Sequence, residues 1–221
     1  MVGNGRDQEM LQWIAMLTML IDHIGIVWFE DEAIYRIIGR LAFPIYAYFV
    51  VQGMTYTSNR RRYVLRLAVL AILSQLPFSL LFHTFSLNVI ATFLLAVLTM
   101  YGFAEALHPI KRWGSLVAGA VVLLVVPCDY GLYALLLMLI YRYAQGLQVV
   151  IYHLLLNTVY VFVALTSEIQ MWSLLPSVLF AWTNAEFTAR IRHSRAPKLL
   201  WRSFYPAHLL VLLVLMKWLG L

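Results

Sequence analysis

The sequence predicts an all-α fold: a polytopic bundle of about nine membrane-spanning helices with its amino terminus in the cytoplasm. Three observations predict it. Hydrophobic residues make up 63% of the chain and charged residues only 12%, with a mean hydropathy of +0.82; an ordinary soluble domain carries about 25% charged residues. The apolar residues fall in runs long enough, at ~1.5 Å per helical residue, to cross or nearly cross a hydrocarbon core of ~30 Å. Lysines and arginines then fall in alternate loops between those runs, the pattern that fixes orientation in a bilayer. No polar stretch is long enough to fold alone, so the 221 residues read as one integral membrane domain.

Taken in order, the segments are Met10–Phe29, Ala33–Met54, Tyr63–Phe82, Asn88–Leu107, Trp113–Val126, Tyr130–Tyr143, Leu147–Thr166, Ile169–Phe187 and Ser203–Leu219. The first run is too long for a signal-peptide core and lacks a small-residue cleavage site, so it reads as a retained helix. The fifth and sixth are short, and Pro127, Asp129 and Gly131 between them fit either a turn or a broken helix. There is no internal repeat and no low-complexity linker.

The loops order themselves by charge. Arg60, Arg61 and Arg62 follow segment two, Lys111 and Arg112 follow segment four, and Arg142 ends segment six. Arg190, Arg192, Arg195, Lys198 and Arg202 follow segment eight. The alternate loops hold Glu30, Asp31 and Glu32, then Phe85 to Leu87, then Asp129, then Glu168, and no lysine or arginine. This places the carboxyl terminus outside. The net charge of +6 is therefore topological, and nucleic acid is not an expected partner. The single cysteine, Cys128, excludes an intrachain disulfide, and no cysteine-rich metal spacing exists.

Within this frame the polar residues stand out by depth. Asp22 and His23 lie inside the first apolar run, ~18–20 Å up the helix in the outer half. Ionisable residues at such depth face a protein interior or a water-filled cavity. Adjacent helical residues point ~100° apart, so Asp22 is expected to pair with an arginine of segment two rather than with the His23 ring. Arg36 and Arg40, four apart, share one face of that segment, as Asn88 and Thr92 do at the start of segment four. Asp129 and Tyr130 complete an outer polar layer. Arg62, Arg66, Tyr205 and His208 make a second layer nearer the cytoplasm, with Gln75 near mid-membrane. Plainer readings stand beside these. Arg36 fits snorkelling to Glu30, Asp31 or Glu32, Asp129 fits a loop residue or cap, and Arg60 to Arg62 fit a topology signal. His208 fits a satisfied interior histidine. His83, His108, His153 and His193 fall at segment ends or in weakly patterned places.

A neutral buried histidine takes a proton from an attacking amine or hydroxyl. No Ser-His-Asp motif or glycine-rich phosphate loop is present. The residues thus read as a membrane group-transfer enzyme, with a small proton-coupled transporter or an accessory membrane subunit as alternatives.

Several stretches together resemble the TraX family, the F-pilin acetylase type of bacterial integral membrane protein. They are Ile14-Ala15-Met16 with Met19 to Gly25, Arg36 to Pro44, Gln52-Gly53, and Tyr63 to Leu67. Ser74 to Phe78, Leu87-Asn88 with Thr92, Asp129-Tyr130-Gly131 and Phe204 to Leu209 follow. The stretch from Leu147 to Ala196 matches in hydropathy only. The resemblance implies an inner-membrane acetyltransferase that uses acetyl-CoA, needs no metal and acetylates an amine or hydroxyl, a pilin amino terminus in the founding case. The acceptor here is open: a pilin-like peptide or a small molecule. Related membrane acyltransferases have an arginine earlier on the histidine helix, where this chain has Gln12 and Trp13. That role then passes to Arg36, Arg40 or Arg66. On this reading His23 is the general base, aided by Asp22, Arg40 and Asn88. Arg62, Arg66, Tyr205 and His208 hold acetyl-CoA, and Arg36, Thr92, Asp129 and Tyr130 meet the acceptor, all in a lipid setting.

Overall fold

The computed structural model describes residues 6–163, 167–181 and 197–220. Thr166, the end of segment eight at Phe187, the basic residues Arg190, Arg192 and Arg195, and His193 lie outside them. Every described element is helical, and the one β contact is an isolated bridge between Leu87 and Cys128. The helices are α1 (Arg6–Trp28), α2 (Ala33–Gly39), α3 (Ala42–Tyr56), α4 (Arg60–Leu81), α5 (Val89–Glu105), α6 (Pro109–Val125), α7 (Gly131–Tyr143) and α8 (Leu147–Phe162). A 3-10 helix (Glu168–Ser173) leads into α9 (Leu174–Ala181), and α10 (Lys198–Trp218) ends the described chain. Among the described residues, the stretches Glu9–Trp28, Ala33–Tyr56, Arg60–Leu81 and Leu199–Trp218 are long and apolar enough to cross a membrane. Val89–Glu105, Gly131–Tyr143 and Leu147–Phe162 are shorter apolar helices. Large apolar side chains such as Ile72, Leu76 and Phe162 point outward. A lipid surface explains such exposure and bulk water does not.

Three predicted segments differ in detail. Segment two is broken at Arg40 and Leu41. Pro44 supplies the reason: it has no N–H for the Arg40 carbonyl, and its ring is tolerated only in the first turn of a helix. Segment eight is not one helix. Pro176 cannot bond back to Trp172, and the chain passes from 3-10 to α geometry just before it. Segment nine begins at Lys198, five residues before the predicted Ser203. The 127–130 stretch is a turn. Leu87 N–H donates to the Pro127 carbonyl and Asp129 N–H to the Leu87 carbonyl, both at 2.9 Å. Positive φ at Tyr130 (62°) and Gly131 (39°) reverses the chain into α7.

The chain divides into two compact units, Met1–Tyr46 with Tyr143–His208, and Ala47–Arg142 with Leu209–Leu221. In the first, α1 packs on α2, and α8 packs on α9 and the 3-10 helix, which also meets α2. In the second, α5 packs between α4 and α6. Its core is built from Phe93, Ala96, Val97 and Met100 of α5 with Leu135, Leu137 and Met138 of α7.

Candidate functional site

In the first unit, two glycines let α1 and α2 approach closely. A Cβ on Gly39 would run into the Asp22 carboxylate, and one on Gly25 would run into Tyr35. Small residues at such crossings are how membrane helices bring their backbones together. The turn between the helices is held by the Gly25 carbonyl, which accepts from Phe29 N–H (3.1 Å) and Asp31 N–H (3.2 Å). Arg36 is thereby brought to Asp22, its Nη1 donating to Oδ1 at 2.7 Å, as the 100° rule predicts. The same guanidinium donates from Nε to Asp31 Oδ1 at 2.9 Å. Arg36 thus bridges a carboxylate inside α1 and one in the turn. Arg40, one helical turn on, also acts electrostatically on Asp22.

His23 points elsewhere. Its Nδ1 lies 2.8 Å from Nε2 of His208. The rings are 16° from parallel with centroids 5.0 Å apart, which with so short an N···N distance is an edge-to-edge approach. The His208 ring is fixed from its own helix. Nδ1 lies 2.7 Å from the Phe204 carbonyl, the Phe204 ring stacks on it at 4.7 Å, and Tyr205 meets it edge-on at 5.5 Å. This corrects the placement of His208 in a separate, cytoplasmic layer. Because α10 starts at Lys198, His208 stands mid-helix and meets His23. Tyr205 is buried beside it and packs against the His208 ring.

In the second unit, the predicted residues are drawn into local structure. Asn88 is fully buried and caps α5. Its Oδ1 accepts from Ile90 and Ala91 N–H, and its Nδ2 donates to the Ala71 carbonyl and to Gln75 Oε1. Both amide hydrogens are used, so the expectation that Asn88 donates to a reacting oxygen is corrected to a capping role. Gln75 also accepts from Asn88 N–H and donates to Ser79 Oγ and the Ser86 carbonyl. Ser74 to Phe78 and Leu87-Asn88 are therefore two sides of one buried lock between α4 and α5. Thr92 donates to the Asp129 carbonyl at 2.7 Å, tying α5 to the 127–130 turn. Tyr130 packs near Tyr133. At the start of α4, Asn59 accepts from Arg62 N–H, Arg60 pairs with Glu105, and the Arg66 guanidinium stands 5.7 Å from the Tyr63 ring. Arg61, Arg62 and Arg66 are exposed there.

A buried polar network in the first unit was not anticipated. His153 Nδ1 lies 2.6 Å from Ser177 Oγ, and its Nε2 lies 3.3 Å from Ser173 Oγ. Asn157 donates to Ser173 Oγ and to the Gln170 carbonyl. The spacing held a signal: His153 and Asn157 are four apart, and Gln170, Ser173 and Ser177 are three and four apart. His153 and Asn157 form one polar stripe on α8, and Gln170, Ser173 and Ser177 are spaced along the 3-10 helix and α9. The network joins α8 to α9, the role of interhelical polar glue. No group of three or more metal-ligating side chains occurs among the described residues.

The chain is 28% identical over 101 residues to an uncharacterized protein of Rickettsia prowazekii, covering 45% of this chain and 39% of that one. It is 27% identical over 148 residues to a probable fimbrial assembly protein of Dichelobacter nodosus serogroup H1, covering 59% of each. It thus spans less than two thirds of either relative. No solved structure matches it. The family described as TraX protein matches residues 7–216, which include the Asp22–Arg36 pair, the two facing histidines and the Gln75–Asn88 lock, and the chain belongs to the TraX family.

Proposed function

We propose that this chain is an acetyltransferase of the bacterial inner membrane that moves an acetyl group from acetyl-CoA to an amine or hydroxyl, with a pilin-type amino terminus as the first acceptor to test. The observation that carries the reading is the His23–His208 imidazole contact, beside the Asp22–Arg36 ion pair, within apolar helices. Ionisable groups so placed are costly and mark function in membrane helices. The name of the Dichelobacter nodosus relative supports a fimbrial setting.

The chemistry needs one base and one anion-stabilising donor. The neutral amine attacks the thioester carbonyl carbon, and its proton passes to His23. The tetrahedral intermediate then expels the CoA thiolate by C–S cleavage, and the His23 imidazolium protonates it. Amine and acetyl-CoA become acetamide and CoA thiol, with no redox change. Arg40 stabilises the developing oxyanion, a role worth ~2.7–4 kcal/mol for one well-aimed donor. Asp22 and Arg36 position α1 against α2. Arg62 and Arg66 hold the donor's phosphates.

The test is kinetic, on detergent-purified protein with acetyl-CoA and peptide acceptors. His23→Ala loses about 10²–10⁴-fold in kcat, the contribution of a positioned base, with expression and insertion intact. Retained turnover removes His23 from the reaction. Arg66→Ala raises KM for acetyl-CoA, whereas an unchanged KM with a lower kcat takes Arg66 out of the donor site. Proton-coupled substrate flux without CoA dependence would instead mark the histidine pair as a transporter relay.

A further inference from the structure

The two histidines constrain each other's protons. A carbonyl oxygen only accepts, so the 2.7 Å contact between His208 Nδ1 and the Phe204 carbonyl puts a proton on Nδ1. In a neutral ring the other nitrogen, Nε2, is then an acceptor. His23 Nδ1, 2.8 Å from it, must donate. In a neutral His23 that leaves the lone pair on Nε2. The chain of bonds runs from His23 Nδ1–H to His208 Nε2, and from His208 Nδ1–H to the Phe204 carbonyl. The Phe204 ring on one face of His208 and Tyr205 at its edge keep the ring from turning to another partner. His208 is only 6% exposed, so water does not compete for this contact.

We propose that His208 is a positioning residue for His23: its Nε2 accepts from His23 Nδ1 and so fixes His23 Nε2 as the nitrogen that takes the acceptor's proton. This rests on the acetyltransferase reading for its kinetic consequence, but not for the tautomer. It gives His208 a role in place of contact with acetyl-CoA. An acid–base histidine needs its second nitrogen held so that the first is in the correct form, and loss of that hold leaves the ring in place with the proton on the wrong atom.

The experiment is nitrogen NMR on protein labelled with 15N-histidine, in the wild type, His208→Leu and His208→Gln. His23 is assigned by the signal lost in His23→Gln. The expected result is a wild-type His23 protonated at Nδ1 and bare at Nε2. In His208→Leu the Nε2-protonated form appears, and in His208→Gln the side-chain amide oxygen replaces the acceptor and restores the wild-type form. In kinetics, His208→Leu lowers kcat about a hundredfold with KM for acetyl-CoA unchanged, within the 10²–10⁴ that a positioned base supplies, and His208→Gln recovers most of it. A wild-type His23 protonated at Nε2, or one tautomer regardless of His208, overturns the proposal. If KM for acetyl-CoA rises while the tautomer holds, His208 belongs to the donor site and the proposal also fails. If the tautomers behave as expected and the wild type transfers no acetyl group, the relay stands and the acetyltransferase reading falls.

Discussion

At the residue scale, Arg36 carries the most structural weight in the first unit because it answers two carboxylates at once. The Asp22–Arg36 pair is half-buried, so removing one partner leaves the other charge only partly compensated by water. Arg36→Ala is therefore expected to cost about 1–3 kcal/mol, between the range of an exposed pair and that of a buried one, read from reversible unfolding in mixed micelles. A loss below ~1 kcal/mol, the range of an exposed pair, would show that the Asp22 carboxylate is solvated. Arg36→Lys keeps the charge but not the fork that spans both acids, and should lose part of the same energy. The Asp22–arginine pairing was legible in the sequence because helix geometry alone turns Asp22 away from His23 and toward a neighbouring helix. The His23–His208 contact was not. The two residues are 185 apart in sequence, and starting the last helix at Ser203 instead of Lys198 misplaces His208 by about 7–8 Å along its axis. Asn88 was misread for a different reason. A polar residue opening an apolar run fits both a site and a cap, and only its partners decide.

At the element scale, the α1–α2 contact depends on Gly25 and Gly39 and the α4–α5 contact on the Gln75–Asn88 lock. Gly39→Ala puts a methyl group where the Asp22 carboxylate sits. It should separate α1 from α2, lowering stability by at least the 1–3 kcal/mol of an overpacked site and lowering activity with it. Unchanged thermal stability would mean that the helices yield without strain. Asn88→Ala removes an N-cap and the amide that donates to Gln75 Oε1 and to the Ala71 carbonyl. The cap alone is worth about 1 kcal/mol and each of the two lost side-chain hydrogen bonds about 0.5–1.5 kcal/mol, so a loss of about 2–4 kcal/mol is expected in the same unfolding measurement. The existence and order of the helices were readable from hydropathy, since a run of apolar residues leaves the backbone no partner but itself in lipid. The breaks were harder. Pro44 and Pro176 interrupt their helices, whereas Pro77 and Pro206 sit inside α4 and α10 without ending them. The residue type alone does not separate the two outcomes; the packing around each does.

At the scale of the whole molecule, the charge pattern predicts an amino terminus in the cytoplasm and alternating loops thereafter. Phe85 and Leu107 are fully exposed and lie in loops of opposite predicted side. Burial pushes the Cys128 thiol up despite its hydrogen bond with Thr92, so it labels slowly at neutral pH, and Cys128→Ser removes it altogether. In that background, an impermeant maleimide should label Phe85→Cys in intact cells and Leu107→Cys only after permeabilisation. The reverse pattern would invert the predicted topology. The membrane class and the family were legible because both are written along nearly the whole chain, in hydropathy and in spaced motifs. The site was legible only as far as the Asp22–arginine pair, because the partner of His23 and the contacts of Asn88 and Thr92 depend on which helices meet. The central claim is that His23 moves a proton in acetyl transfer. The most direct test is acetyl-CoA binding, and CoA release in the presence of a peptide acceptor, by the detergent-purified protein, wild type beside His23→Ala. The account predicts saturable binding in both and release of free CoA only in the wild type. Absence of binding at millimolar acetyl-CoA with the protein folded, or equal release from the variant, would contradict it.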